Sequence, residues 1–342
     1  MTSRRKVLIG AAGAGALLAG CTSNAPKNTA QVRTGTSDDP NAAAGTKVTI
    51  GFSAPAADHG WIAAITNNAR AQAAEYPDVE LKSVEAGADA ATQRAAISTL
   101  VAQKPTVIVM LPYDGKELDA AGLQSMRAGI PVVNLDRAFP SRGAYRLQIK
   151  GDNYGMGLAA GTYIGDQLKA KGVGNPIIGE IPGIDSLELT QERSQGFRDA
   201  LARYGFKVAN RRPAEFTADS GQAAATALLQ ALPRMDALWN HDDDQGIGVL
   251  AAIKQANRSE FFMVGGAGSK AAIDAISAGT GVLQATVTYS PSMASSAVSL
   301  ARLIGQGKGM SDLVELQVPK EITLASETIT KDNAAKYAKL GF

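Results

Sequence analysis

Asp136 and Arg137 follow a short apolar run, Pro131-Val132-Val133-Asn134-Leu135, so an acid and a base stand at the end of a predicted buried strand. A carboxylate accepts and a guanidinium donates, which suits the pair to neighbouring hydroxyls. A surface ion pair closing the strand is the other reading of the same residues. A second stretch with chemistry is Asp58-His59-Gly60-Trp61, which sets a polar ring two positions from a flat apolar one; Asp58 is also suited to cap a helix. A third is His241-Asp242-Asp243-Asp244. Paired acids and a histidine can do acid–base work. However, His59 and His241 are the only histidines, and no Gly-x-Ser-x-Gly elbow, His-Glu-x-x-His pair or phosphate loop accompanies them. Adjacent acids at a strand-to-helix turn point in different directions, and acids in a first helical turn are favoured by the helix dipole without any metal. The expectation is a protein that is not an enzyme and has neither cofactor nor metal.

The elements that must position these residues follow from periodicity. From Lys47 onward, short β-branched runs alternate with helical segments, the pattern of βαβ units and a parallel sheet. A strand is predicted over 48–53 and a helix over 60–75, with Ile62, Ile65, Ala69 and Ala73 on one face. Strands at 79–84, 106–110, 131–135 and 145–149 and helices at 88–102 and 115–128 continue the alternation, which restarts after Gly151 and runs to a last strand near 321–323. A chain of 342 residues exceeds the size of most single cores. The fold class is therefore α/β, with two doubly wound lobes. In open α/β sheets ligands sit beyond the carboxyl ends of the strands, which is where Asp136 and Arg137 fall.

Residues 1–20 have the character of an export signal rather than of a folded element. Ser3-Arg4-Arg5-Lys6-Val7-Leu8 resembles a twin-arginine signal, the general secretory route being the alternative. The Ala/Gly/Leu run after it is shorter than the ~20 apolar residues of a spanning helix. Leu18-Ala19-Gly20-Cys21 resembles a bacterial lipobox, which predicts cleavage before Cys21 and lipidation of its thiol. Cys21 is the only cysteine, so no intrachain disulfide is possible. Residues 21–46 form the lipidated end and a Ser/Thr/Asn/Ala/Gly/Pro-rich tether. The body is thereby expected outside the cytoplasm, held to the membrane on its periplasmic or cell-wall face. The net charge of +2 counts Arg4, Arg5 and Lys6, and the near-neutral remainder marks no nucleic-acid partner.

Five segments in order carry a resemblance to the periplasmic sugar-binding proteins of the ribose-binding type. They are Pro131–Arg137, Gly151-Asp152-Asn153-Tyr154-Gly155-Met156-Gly157, Gln191-Glu192-Arg193-Ser194-Gln195-Gly196-Phe197, Asn240-His241-Asp242-Asp243-Asp244 with Gly246 and Gly248, and Phe262-Met263-Val264-Gly265-Gly266. The resemblance covers about residues 47–333 and implies the type I periplasmic binding protein fold. Its two lobes are joined by a three-segment hinge, here near Gly151, 288–290 and 317–320. Residues 47–150 with 291–318 would form the N-terminal lobe, and 151–290 with 319–342 the C-terminal lobe. The family implies a monomer that captures a monosaccharide or polyol and delivers it to the permease of an ABC importer. A sensing-only binder, of a sugar or of a quorum signal such as autoinducer-2, is the alternative. Repressors on this fold need an N-terminal helix-turn-helix where this chain has its export segment and tether.

The resemblance also implies the site. Trp61 would stack on a sugar face and His59 would bond a hydroxyl, against core packing and helix capping respectively. Asp136, Arg137 and Arg193 match the family's polar clamp, Asp242 stands at an asparagine position, and Phe216 matches a second-lobe aromatic. Three departures alter the set. Gly265-Gly266-Ala267-Gly268 replaces an aspartate, Tyr289 a glutamine and Leu111 an asparagine. The implied ligand is therefore polyhydroxylated but differently arrayed from ribose, such as a polyol or a deoxy sugar.

Overall fold

The computed structural model describes residues 43–84, 86–310, 317–339 and 341–342; the export segment, Cys21 and most of the tether lie outside the described residues. The chain runs β1 (Val48–Ser53), α1 (Gly60–Ala74), β2 (Val79–Ser83), α2 (Ala90–Ala102), β3 (Val107–Met110), α3 (Gly115–Arg127), β4 (Val132–Leu135) and β5 (Leu147–Gly151). It continues through α4 (Asn153–Ala170), β6 (Ile178–Ile181), α5 (Glu188–Ala202), β7 (Val208–Arg211), α6 (Ala218–Ala231), β8 (Ala237–Asn240) and α7 (Asp243–Gln255). Then follow β9 (Phe262–Ala267), α8 (Lys270–Ala278), β10 (Leu283–Thr288), α9 (Met293–Gly305), β11 (Glu321–Leu324), β12 (Thr328–Thr330) and α10 (Ala334–Tyr337).

Two six-stranded sheets result, ordered β11-β5-β4-β3-β1-β2 and β12-β10-β9-β8-β6-β7. Every ladder is parallel except β10–β12. The central strands β3 and β4 are buried along their whole length, as expected of a parallel sheet covered on both faces. α9 returns from the second lobe to pack on α1 and on the first sheet. It is pinned there by Arg302, whose Nε and Nη2 lie 2.7 and 2.6 Å from the Asp78 carboxylate. That guanidinium holds the Asp78 carboxyl well below the usual carboxylate range.

The chain passes between lobes at 151–153, between β10 and α9, and at 325–327. The third passage corrects the expected one at 317–320: Glu321–Leu324, assigned above to the second lobe, pairs in parallel with β5 of the first. A four-residue edge strand carries no local mark of which sheet it joins; the free edge of β5 decides it. The crossings are bonded to one another. Asp152 N–H donates to Leu324 O at 2.8 Å, and Thr288 and Glu327 exchange two bonds of 2.8 Å.

Candidate ligand-binding site

Each lobe presents the carboxyl ends of its strands to the other, and the turns there carry the polar residues. In the first lobe, Asn134 shapes the turn after β4: its Nδ2 donates to Arg137 O at 3.0 Å and its Oδ1 accepts from Phe139 N–H at 3.1 Å. Asp136 N–H closes the turn on Ile149 O at 2.8 Å. Arg137 donates through Nη1 to Tyr113 O, and the Tyr113 N–H is held in turn by Gln93 Oε1. Both charged side chains are thus buried, and Arg137 is oriented by a neutral group behind it, which leaves its remaining donors free.

In the second lobe, Arg193 is placed by helix packing. A Cβ on Gly157 would overlap the Arg193 carbonyl oxygen and one on Gly196 the Tyr154 carbonyl oxygen, so only glycine lets α4 and α5 approach so closely. Arg193 Nε then donates to Asn153 Oδ1 at 2.9 Å and Nη1 to His241 O at 3.2 Å, and its guanidinium lies 4.4 Å from the Tyr289 ring centre. Asp242 caps α7, accepting from Asp244 and Gln245 N–H at 2.8 and 3.1 Å. Burial, reinforced by the charge of Asp244, pushes the Asp242 carboxyl up to about 6.

The eight candidate residues His59, Trp61, Asp136, Arg137, Arg193, Phe216, Asp242 and Tyr289 line one cavity, together with Leu189 and Ala267. It holds about 330 Å³ of empty space, counting the part open to solvent. Tyr289 lines it from the second crossing. Its hydroxyl donates to Asp136 Oδ1, its ring tilts against Trp61 at 5.8 Å, and its carbonyl accepts from Trp61 Nε1 at 2.9 Å. His59 stacks on Phe216 across the cleft at 6.1 Å. Burial disfavours the charged imidazole, but the hydrogen bond that His59 donates to Asp58 and the charges of Asp242, Asp58 and Asp244 outweigh it and raise the His59 pKa. Asp58, the capping candidate, bonds the His59 ring instead of the helix. Asp136, Phe216 and Ala267 also adopt φ of 66°, 65° and 94°, a left-handed backbone that side chains other than glycine rarely take. Such strain gathers where a site fixes its geometry against local preference.

Leu189 and Ala267 were not among the expected residues. Ala267 ends β9, a position equivalent to Asp136 after β4, and that equivalence is the signal that finds it; Leu189 has none in its local sequence. Leu111, where the resemblance implies an asparagine, is buried and off the cavity wall. The acids of the 241–244 run diverge. His241 Nε2 meets buried Glu180 at 3.0 Å, and burial holds its pKa down to about 4. Asp243 accepts from the N–H groups of Gly266, Gly268 and Ser269 at 3.0, 2.9 and 2.9 Å, which shapes the turn presenting Ala267. Among the described residues no group of three His, Cys, Asp or Glu side chains is arranged to hold a metal ion.

Two doubly wound lobes with a polar and aromatic cavity between them define a two-lobed binding protein. The chain belongs to the periplasmic binding protein domain family, whose model matches residues 50–309. The ribose import binding protein of Escherichia coli (strain K12) is 30% identical over 201 residues, 59% of this chain. That match spans 66% of the relative's own length, just under two thirds. Among solved structures, a Mycobacterium smegmatis protein in complex with β-D-fucofuranose superposes with a TM-score of 0.77 at 25% identity, covering 85% of this chain and 94% of that one. The arabinose-transporter binding protein of Shewanella sp. ANA-3, bound to L-arabinofuranose, gives 0.74 at 25% identity, covering 85% and 94%.

Proposed function

We propose that the protein captures a monosaccharide or polyol between its lobes and hands it to the permease of an ABC importer. The observation that carries this is the convergence of eight side chains, from both lobes and from one crossing, on a single cavity. Asp136, Arg137, Arg193, Asp242 and His59 supply donors and acceptors for hydroxyls, and Trp61, Phe216 and Tyr289 supply flat faces for C–H groups. The ligand biases closure because only the closed cleft lets both lobes touch it. Relatives named as import binding proteins favour delivery over a sensing-only role.

The ligand carries a less polar edge than a ribopyranose. Leu189, Phe216 and Ala267 form an apolar second-lobe wall, Ala267 lying in the run where the resemblance implies an aspartate, which suits a deoxy sugar or a C–H-rich furanose or polyol face. The fucofuranose in the Mycobacterium smegmatis relative, a deoxy sugar, is of this kind. Lipidation of Cys21 and twin-arginine export belong to the same proposal; they rest on Leu18–Cys21 and Arg4-Arg5 and place the binder beside its permease. A thermal-shift panel of pentoses, hexoses, deoxy sugars, polyols and inositols tests the reading, since a bound ligand raises Tm by mass action. Tight binding of D-ribose with every deoxy sugar and polyol inert would overturn the ligand class, and no shift with any compound would overturn the function. Release of a Cys21→Ala protein into the medium, against membrane retention of the wild type, tests the anchor.

A further inference from the structure

A second cavity adjoins the first. It holds about 280 Å³ of empty space on the same measure and is lined by Asp114, Gly115, Lys116, Arg137, Ala138, Ser186, Leu187, Glu188 and Leu189. Arg137 and Leu189 line both cavities, so the two are continuous across these side chains. Like the inner one, the outer cavity lies between lobes: Asp114 to Lys116 open α3 in the first, and Ser186 to Leu189 open α5 in the second.

Its chemistry repeats that of the inner cavity. Lys116 and Arg137 donate, while Asp114 and Glu188 accept, and the two signs balance. A phosphate or carboxylate would meet two acids as well as two bases, whereas hydroxyls use both kinds of partner. Leu187, Leu189 and Ala138 supply an apolar face for C–H groups. Two features on residues lining this space have bonding capacity to spare. Arg137 is only 8% exposed, yet its Nε has no hydrogen-bond partner. The α5 N-terminus receives no side-chain cap from Leu187, whereas Asp114 caps α3 through Oδ1 at 2.7 and 3.1 Å. A buried guanidinium nitrogen without a partner is costly unless something else supplies an acceptor. Gly115 keeps the floor of the cavity tight, because a Cβ there would overlap the Ala138 carbonyl oxygen.

We infer that the cleft has an outer subsite for a second polyhydroxy unit, so that its preferred ligand is a glycoside or another two-part carbohydrate rather than a free single ring. The inference rests on the proposed function of the inner cavity and extends it by one unit. Arg137 is the shared residue, bonding the inner ring on one side and the linked unit on the other.

Calorimetry on the protein with matched pairs tests this: myo-inositol against galactinol, D-galactose against melibiose, and D-fructose against sucrose. For at least one pair the two-unit compound is expected to bind about tenfold more tightly or better. The double variant Lys116→Ala/Glu188→Ala, neither residue of which lines the inner cavity, is expected to return that compound to the affinity of its single-unit partner while leaving the single unit unaffected. Two-unit compounds that bind no better than their partners, alongside measurable single-unit binding, overturn the outer subsite and leave the proposed function standing. So does a preference that survives the double variant. Binding of neither member of any pair overturns the inference, while the proposed function stands or falls separately with the thermal-shift panel.

Discussion

The Trp61 backbone N–H, in the first turn of α1, donates to Asp244 Oδ2 at 2.8 Å, from one lobe to the other. His59, the N-cap residue of α1, makes no side-chain cap of its own. The opposite lobe therefore completes the helix, and the positive end of α1 favours the carboxylate that does so. Opening the cleft uncaps α1, so the cap acts as a latch present only in the closed form.

Asp244→Ala is expected to shift the lobes toward the open form. A lost cap costs about 1 kcal/mol, which corresponds to roughly fivefold weaker ligand binding if it is felt only in the closed state. Small-angle scattering of the ligand-free variant should show a larger radius of gyration than the wild type. Identical scattering and identical affinity would show that Asp244 has no part in closure.

Arg193→Ala removes donors from Asn153 Oδ1 and His241 O and should lower stability by about 1–3 kcal/mol. Ligand binding should weaken about tenfold or more, because a charge-assisted bond to the ligand goes with it. Arg193→Lys should not restore affinity, since a single ammonium cannot serve Asn153, His241 and a ligand in a fixed fork. Calorimetry with whichever sugar shifts Tm most checks this; unchanged affinity in Arg193→Ala would remove the residue from the site.

The raised pKa of His59 has a definite consequence for pH. The folded protein holds this proton more tightly than the unfolded chain, whose histidine titrates near 6.5, so the contribution is complete below that pH. It is lost as pH rises through the raised folded value. The Tm advantage of wild type over His59→Asn should accordingly be largest near pH 6 and shrink toward pH 9. An advantage that grows with pH would contradict the charged pairing of His59 with Asp58, Asp242 and Asp244.

Gly151 lies at the first crossing, where a Cβ would overlap the Tyr289 ring. Gly151→Ala should displace that ring, break its hydroxyl bond to Asp136 and cost about 1–3 kcal/mol as an overpacked site. In a double-mutant cycle, much of this loss should vanish on the background of Tyr289→Ala, where the obstructing ring is absent. Purely additive losses would mean that the clash is relieved elsewhere.

Asp136 and Arg137 were legible from their place at a strand end, and the other expected cavity residues through the resemblance; local placement explains why most of them reach the cleft. A strand-to-helix turn puts the residue after a parallel strand at the cleft, and Asp136, Asp242 and Tyr289 each follow such a strand. Trp61 and Arg193 sit in first or second helical turns, which the same geometry brings forward. What stayed hidden depends on partners far along the chain. The free edge of β5, not any property of 321–324, puts β11 in the first sheet. The Asp244 contact spans 183 positions and exists only between lobes. The left-handed backbone of Phe216 and Ala267 is likewise imposed from outside, since neither residue type favours it.

Because β11 and α9 belong to the first lobe while β12 and α10 close the second, neither lobe is a continuous piece of chain. Residues 48–151 alone lack the strand that covers β5 and the helix that covers α1, so they leave an open edge and an apolar face. Folding therefore cannot proceed lobe by lobe as the chain emerges from the ribosome. It must wait for residues 321–337 and then complete both lobes almost together, with long loops to close and a correspondingly slow rate.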